Sequence, residues 1–487
     1  MKRSDGILAF TLLIGVCCYG QADAATIAEG CAAPATPARR NTFYVDPAKG
    51  NMSNDGSAAR PWSTLAEVLD SKRKLVATPS APIKPGDLIY LNNGDHGNVQ
   101  IAGAVNTDFI TVQAAPGQTP TLRSLRVNGA SKWMFVGLKV QGAGDGSTNS
   151  LPGSALIEFG RNLTAGPTSN IVFAGNSVSA ADDSSRWADI DWVKKPFVTS
   201  LSTSATCVTI SGNHFFNVRN AVSVDGDNTL VAENKIDNFG NDGINVVASN
   251  VTIRRNTIRD GRNSKSETLH PDGIQGWSKP GATNRNVVID GNTIIKTGDT
   301  QVTAMQGISI FDGNWDGLTI SNNVVVTNHW HGIALYGVKN ARIVNNTIVP
   351  SDPVKFPTWI TVQNAKNGTP SENVIVRNNI TSQLTYNEAG VTADHNIVAT
   401  KIGATALGKT TVVSKPGIHA NRNVVDPNIY GTLVTVDNAR GTYDLRPNPG
   451  SPAIGNGNPD SAPATDILGK PRTRPIDIGA YSHARSR

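Results

Sequence analysis

A short pattern that contains asparagine recurs along the middle of the chain and restricts the fold more than any other feature. The pattern has the form apolar-x-apolar-x-x-Asn-x-apolar, where x is any residue. The repeated residues are Asn176, Asn213, Asn234, Asn256, Asn292, Asn323, Asn346 and Asn379. The shortest interval, from Asn213 to Asn234, is 21 residues. A fixed period of this size is typical of a solenoid.

A coil of about twenty residues accommodates three short strands, and successive coils pair about 4.8 Å apart in a parallel β-helix. Asn tolerates left-handed backbone angles at a tight bend, and its amide can bond to the Asn of the next coil. We therefore predict an all-β, single-stranded parallel β-helix with an internal Asn ladder. The longer intervals are then coils that carry loops.

One helix is expected near the start of the repeats. Residues 64–67 (Thr-Leu-Ala-Glu) have the form of a capping box, and the apolar residues that follow would give a short helix one buried face. A stack of coils needs its open end covered. We predict a short N-terminal capping helix.

The chain divides into three predicted segments. Lys2 and Arg3, the apolar residues 7–19 and the small residues before Ala25 predict a signal peptide over 1–24, so the protein is expected to be secreted or periplasmic. Residues 25–40 read as a flexible leader. Residues 41–487 form the β-helix: cap and first coils over 41–160, central coils with the substrate face over 161–400, and closure over 401–487. Cys31 and Cys207 could pair after export or remain unpaired.

The formal net charge of +6 suits an anionic partner, and acidic polysaccharide and nucleic acid both qualify on charge. A solubilising surface charge is the plain alternative. The sequence after residue 24 contains no run of about 18 apolar residues, so we predict no membrane span.

Two sets of short segments stand at the ends of the predicted β-helix: 44–46, 54–56, 61–62, 64–67 and 84–87 at the start, and 451–454, Asp466, Gly469, Arg472 and 477–481 at the close. They resemble the entry and closing segments of secreted right-handed parallel β-helix proteins of the pectate-lyase-like superfamily. The resemblance implies a right-handed helix and a polysaccharide as partner. We further expect no nucleic-acid partner, no membrane span and a monomeric protein. It assigns no single family, because this frame carries lyases, hydrolases, epimerases and binding proteins.

A Gly-Ile step recurs at 243–244, 273–274, 307–308 and 332–333. The resemblance implies that this strand forms the substrate face. If each Ile points inward, Gln275 points outward, and Trp277, Phe311 and Tyr336 form a second outward column. Such an aromatic strip suits stacking against sugar rings, although ordinary packing beneath a loop would explain it as well.

The residues before each Gly form a polar column of Asp242, Asp272, Gln306 and His331. Adjacent coils would bring the two Asp carboxylates to roughly 5 Å, where they bind a cation or share a proton. Carboxylate oxygens suit Ca²⁺, so calcium is a candidate cofactor, held by Asp242 and Asp272.

Elimination on a uronate needs a base, a group that neutralises the carboxylate, and an acid. His270 or His331 could be the base. The neutralising groups could come from Arg255 or from the long loop before Asp272. We predict a lyase acting on an acidic polysaccharide, with these catalytic and binding candidates: His270, Asp272, His331, Arg255, Arg262, Lys265, Gln275, Trp277, Gln306, Phe311 and Tyr336.

Three alternatives remain open. A polygalacturonase-like hydrolase would use the Asp residues, and a C5-epimerase would begin with the same proton abstraction as a lyase. A non-catalytic β-helix could bind sugar, or bind metal through His270, Asp272, His329 and His331.

Overall fold

The computed structural model describes most of the chain from Arg40 onward. The described residues are 31, 40–76, 78–142, 155–160, 166–262, 270–297, 304–351, 358–399, 401–402, 405–406, 412–413, 424–426, 433–437 and 442–483. The predicted signal peptide and most of the predicted leader lie outside these residues. The described residues contain no helix with the length and apolar character that crossing a membrane requires.

Three long sheets of parallel strands run the length of the molecule, and we call them sheets A, B and C in the order in which a coil visits them. Each strand pairs with its counterpart one coil away, as between Ile244 and Ile274 or Ile308 and Ile333. The predicted parallel β-helix is confirmed.

The strands of sheet A are Thr42–Val45, Leu88–Leu91, Val105–Ala114, Ser131–Val136, Ser169–Ala174, Thr206–Ser211, Leu230–Ala232, Thr252–Arg254, Val288–Asp290, Thr319–Ser321, Arg342–Val344, Val374–Arg377 and Val391–Asp394. The strands of sheet B are Gly94–Asp95, Pro120–Leu122, Lys139–Gln141, Ser177–Ser179, His214–Val218, Lys235–Phe239, Thr257–Gly261, Thr293–Ile295, Val324–Thr327, Thr347–Pro350, Ile380–Thr381, Ile397–Ala399 and Val424–Asp426.

The strands of sheet C are Asn98–Ala102, Ser124–Asn128, Ala155–Phe159, Thr199–Thr203, Asn220–Val224, Asp242–Val246, Asp272–Trp277, Gln306–Asp312, His331–Tyr336, Trp359–Gln363, Gln383–Tyr386 and Val412–Val413. Smaller sheets contain Thr283–Arg285, Asn314–Asp316 and Val338–Lys339, then Lys401–Ile402 with Thr405–Ala406, and Leu433–Asp437 with Thr442–Pro447. The helices are Leu65–Val68 and Asp191–Lys194, with 3-10 turns at Ser71–Arg73 and Glu388–Gly390.

The core is a column of aliphatic side chains from all three sheets. Strand alternation points every second residue inward, and stacking of the coils then removes it from water. Ile244, Ile274, Ile308 and Ile333 of sheet C are each fully buried, as the Gly-Ile pattern predicts. Their burial fixes which residues of the same strands face outward.

The Asn ladder is confirmed at the turn from sheet A to sheet B. Asn292 shows the repeated geometry, since its Nδ2 donates to Oδ1 of Asn323 at 3.0 Å and to the Ile253 carbonyl at 2.9 Å. In turn, Oδ1 of Asn292 accepts the backbone and side-chain N–H groups of Asn256 at 3.0 and 2.9 Å. Each buried amide therefore connects two coils.

The expectation that the ladder residues themselves adopt left-handed backbone angles is wrong. The residue before each ladder Asn takes that conformation, as Arg255 does before Asn256 (φ 54°) and Gly291 before Asn292 (φ 65°). The preceding residue makes the bend, and the ladder Asn keeps its side chain directed inward.

The predicted capping helix is present as Leu65–Val68. Thr64 is its N-cap, and its hydroxyl accepts the backbone N–H of Glu67 at 3.3 Å. Leu65 and Val68 are buried in the same cluster as the first coils. The helix therefore covers the apolar N-terminal end of the stack.

Cys31 and Cys207 form a disulfide, which resolves the alternative that the sequence left open. The bond joins the segment ahead of the first strand to the Thr206–Ser211 strand of sheet A.

Candidate functional site

Polar side chains gather where the strands of sheet C begin, directly after the turns from sheet B. We call this place the B–C edge and define it by Asp242, Asp272, Gln306 and His331. The register pairs Asp242 with Asp272 and Asp272 with Gln306 on successive coils. The polar column therefore exists as predicted.

Asp242 and Asp272 form a buried carboxyl pair. Asp242 is 4% exposed and Asp272 is 0% exposed. The backbone N–H of Asp272 donates to Oδ1 of Asp242 at 3.3 Å, and Nδ2 of Asn241 donates to Oδ2 at 2.8 Å. Both carboxyl groups are positioned by neighbours within the wall of the helix.

Burial, together with the negative charge of Asp272, raises the pKa of Asp242 to about 8. Burial also raises the pKa of Asp272, although His270 favours its charged form. Two adjacent buried carboxylates repel each other too strongly for both to ionise. The pair therefore favours a singly protonated state, and the hydrogen bond with His270 favours the charge on Asp272.

His270 stands half exposed above this pair. Its Nδ1 lies 2.9 Å from Oδ2 of Asp272, and this hydrogen bond raises the pKa of His270 above its ordinary value of 6.5. The interaction directs Nδ1–H toward the buried carboxylate. Nε2 is the ring nitrogen left to face a ligand, and it carries a proton when the ring is charged.

His331 lies two coils further on, and its pKa is shifted in the opposite direction from that of His270. Its Nδ1 is 2.8 Å from Oε1 of Gln306, which also accepts the Ser309 hydroxyl at 3.1 Å. Burial, followed by the charge of His270, lowers the pKa of His331 to about 4. At neutral pH His331 is an uncharged imidazole whose Nε2 holds a lone pair.

His329 extends the histidine group. Burial and the charges of His331 and His270 lower the pKa of His329 to about 4 as well. Its Nδ1 accepts the backbone N–H of His331 at 3.2 Å, and the two rings lie 4.9 Å apart. His329 therefore helps to place the backbone of His331.

Gln275 pairs in register with Asn245 on one coil and with Ser309 on the next, and it is partly exposed whereas both of these partners are buried. The second column differs from the prediction. A β-bulge between Gly276 and Trp277 sets Trp277 opposite Asp312, so that Phe311 is displaced from the predicted column. The three predicted aromatics therefore do not form one continuous strip.

Phe311 and Tyr336 do meet, at 4.9 Å between ring centroids, and Phe311 lies equally close to the ring of His331. Two further aromatic residues, Trp330 and Trp359, lie on the other side of His331 and were not predicted. Trp359 begins the next strand of sheet C, paired with His331. Alignment of residues 359–362 with the preceding strand could have found it.

The three cationic residues predicted for this site lie in different parts of the chain. Arg255 lies at the sheet A to sheet B turn, in the left-handed position before Asn256, so its assignment to this site is wrong. Arg262 lies at a sheet B to sheet C turn, where its Nε donates to Oδ1 of Asn238 at 2.9 Å and its guanidinium lies 5.4 Å from the Trp192 ring. Lys265 lies outside the described residues.

The calcium site at Asp242 and Asp272 stays a prediction, and of the oxygens of this pair Oδ1 of Asp272 is the one without a hydrogen-bond partner among the described residues. Ca²⁺ takes six to eight oxygen ligands. Both oxygens of Asp242 already accept N–H groups, and Oδ2 of Asp272 faces His270. Over the described ranges, no group of three or more His, Cys, Asp and Glu side chains has the geometry to hold a metal, which applies equally to the proposed histidine set.

Comparisons with known proteins agree on architecture. The family model for the right-handed β-helix region matches residues 198–353. No curated protein sequence matches the chain significantly. The match and the three parallel sheets identify a right-handed parallel β-helix, and no single family is assigned.

Solved structures give the same result. The complex of XylC with xylose is 11% identical, has a TM-score of 0.52, and aligns over 90% of this chain and 98% of that chain. The Azotobacter vinelandii mannuronan C-5 epimerase AlgE6 A-module (13%, TM-score 0.48) aligns over 75% and 93%, and pectate lyase Pel9A (15%, TM-score 0.40) over 92% and 97%. At these identities the likeness shows the fold alone.

Proposed function

We propose that this protein is an exported polysaccharide lyase that cleaves an acidic, uronate-containing polymer by β-elimination. One observation carries the proposal: His331 and His270 lie at the same edge of sheet C with pKa values shifted in opposite directions. Each ring uses Nδ1 for a polar partner in the wall. Groups whose surroundings separate their pKa values in this way suit the base and acid of one reaction.

His331 is the base in this mechanism. Its neutral Nε2 takes the proton from the carbon next to the substrate carboxylate, and the electron pair moves into the carboxylate as an enolate. The side-chain amide of Gln275, which is partly exposed on the Asp272–Trp277 strand, donates to a carboxylate oxygen. A donor placed where charge develops lowers the barrier.

His270 is the acid. As the enolate collapses, a carbon–carbon double bond forms and the bond to the leaving sugar oxygen breaks. Nε2–H of the charged His270 protonates that oxygen, while Asp272 holds the ring through Nδ1. Arg262 and Lys265 remain proposals for contacts with more distant carboxylates of the polymer.

Elimination suits this geometry better than hydrolysis does. Most glycoside hydrolases need two carboxyl groups that flank the scissile bond. Asp242 and Asp272, the pair that a hydrolase would use here, are buried in the wall. Among the described residues at this edge, His270 and His331 are titratable groups that remain partly exposed.

Export is supported by the disulfide between Cys31 and Cys207, because such bonds persist in oxidising compartments. The net charge of +6 favours an acidic polymer. We propose that the protein acts outside the cytoplasm as a monomer.

The direct test incubates the purified protein with a panel of polyuronates and with neutral xylan, each with calcium and with a chelator. We expect ultraviolet absorbance from the unsaturated product on at least one polyuronate, with or without calcium. New reducing ends without that absorbance would show hydrolysis. An altered ratio of uronate epimers without cleavage would show an epimerase, and polymer binding without any reaction would show a binding protein.

The pH profile of kcat/KM should be bell-shaped. The base must be neutral, so activity rises as pH passes the His331 pKa of about 4. The acid must be protonated, so activity falls as pH passes the raised pKa of His270, above 6.5. Initial rates of product absorbance between about pH 3 and pH 10 measure both limbs. A profile that still rises above pH 8 would contradict these roles.

Asp272→Asn distinguishes the two limbs. The amide keeps the shape of the buried side chain and removes the charge that stabilises protonated His270, so the alkaline limb should move to lower pH. The low-pH limb should stay near the pH at which it lies in the unsubstituted protein, because it is set by His331, whose Nδ1 is held by Gln306.

A further inference from the structure

One aromatic side chain near the B–C edge is unusually exposed. Trp330 is 43% exposed, and the other large hydrophobic side chains exposed in the described part of the chain, Val105 and Leu468, are aliphatic. Trp330 immediately precedes His331 in sequence. An exposed indole beside a candidate base is a position at which a ligand would make contact.

Trp330 does not stand alone. Its ring stacks on that of Trp359, with centroids 6.2 Å apart and an interplanar angle of 21°. Trp359 in turn lies 5.5 Å from the ring of His331. The stacked pair therefore holds a fixed position relative to the base, on the side of His331 that leads toward the C-terminal coils.

The opposite direction along sheet C has a different surface. The outward residues on the coils before Asp272 are Ser202, Ser223 and Asn245, which are paired in register and small or polar. The candidate groove therefore presents serine hydroxyls toward the N-terminal coils and indole rings toward the C-terminal coils. In a polymer that lies along sheet C, the sugar units on one side of His331 would contact the polar half of the groove and those on the other side would contact the aromatic half.

We propose that Trp330 and Trp359 form a stacking subsite for a sugar ring of the polymer, next to the scissile bond on the C-terminal side of His331. The apolar face of a pyranose ring packs well on an indole, and burying that face gains free energy without requiring a charge. The subsite rests on the proposed function for its position beside the bond that breaks. Its ligand class, a pyranose ring within a polysaccharide, does not depend on the reaction.

The test measures polymer binding apart from turnover. In a His270→Ala background, calorimetric titration with each soluble polyuronate and with neutral xylan compares Trp330→Ala, Trp330→Phe and the matched control Leu468→Ala. Leu468 is a similarly exposed large apolar side chain, at 56%, in the C-terminal segment. Melting temperature checks that every variant is folded.

We expect Trp330→Ala to weaken binding of the preferred polymer by about tenfold, the size of one good aromatic contact. Trp330→Phe should recover most of the affinity, and Leu468→Ala should leave it unchanged. The subsite is refuted if Trp330→Ala binds as tightly as Leu468→Ala, or if no polymer binds the parent.

The outcomes separate the two proposals. If His270→Ala still cleaves at the parent rate and Trp330→Ala weakens binding, the assigned mechanism fails and the subsite stands. If His270→Ala is inactive and Trp330→Ala binds normally, the mechanism stands and the subsite fails.

Discussion

Replacing His331 with Ala is expected to lower kcat on the cleaved polymer by roughly 10²–10⁴-fold, the usual contribution of a positioned general base. Burial keeps this imidazole neutral, with a pKa of about 4, and Gln306 holds Nδ1, so the substitution removes the base itself. KM should change less than kcat, since Trp330 and Gln275 still contact the substrate. Initial rates over a range of polymer concentrations measure both constants.

His214→Ala provides the matched control. His214 also lies on a strand, is partly exposed, and bonds to a carboxylate through Nε2, at 2.9 Å from Asp237, but it belongs to sheet B. We expect its removal to leave kcat within about twofold, equivalent to about 0.4 kcal/mol of barrier. A folded His331→Ala protein that retains the parent kcat would remove this residue from the mechanism.

Replacing Asn292 with Ala should lower the free energy of unfolding by about 4 kcal/mol. The change leaves the backbone N–H of Asn256 and the carbonyl of Ile253 without their partners in a fully buried turn. Each unsatisfied buried group costs about 1–3 kcal/mol, and the lost side-chain volume adds to this. Urea denaturation followed by circular dichroism measures the shift.

Asn387→Ala is the control for the ladder. Its Nδ2 also bonds to an Asn side chain, Asn364, at 3.1 Å, but both residues are on the surface. Water replaces that bond, so we expect a change within about 0.5 kcal/mol. Equal losses in the two variants would mean that burial of the ladder contributes nothing.

The repeat was predictable because its causes are local. An inward Ile and an outward Gln275 follow from strand alternation, and the Asn interval follows from the length of a coil. The left-handed position was misassigned by one residue, because an Asn in a bend can serve either the bend or the ladder. Arg255 was misplaced for the same reason, since the residue before a ladder Asn lies at the turn from sheet A to sheet B, away from the B–C edge.

The aromatic surface was predicted less well. Counting by twos placed Trp277 and Phe311 in one column, but a bulge adds a residue to the Gln306–Asp312 strand and shifts the register. Trp359 was missed because the interval between Asn346 and Asn379 includes a loop, which hides the alignment of its strand with the one before.

The sequence by itself predicted the parallel β-helix, the ladder and the column that contains Asp242, Asp272, Gln306 and His331. These features depend on periodicity, which each coil carries within its own residues. The capping helix followed from a local capping box, and the right-handed coil was implied by the resemblance to a known superfamily. Only the tertiary structure decided how that column ionises. A carboxyl or imidazole group changes its pKa when stacked coils remove it from water and bring polar groups close. Some of those groups are distant in sequence, as Asp242 is from Asp272 (30 positions) and Gln306 is from His331 (25 positions). The lowered pKa of His331 is therefore a property of the stacked coils, whereas the raised pKa of His270 also depends on Asp272, two residues away in sequence.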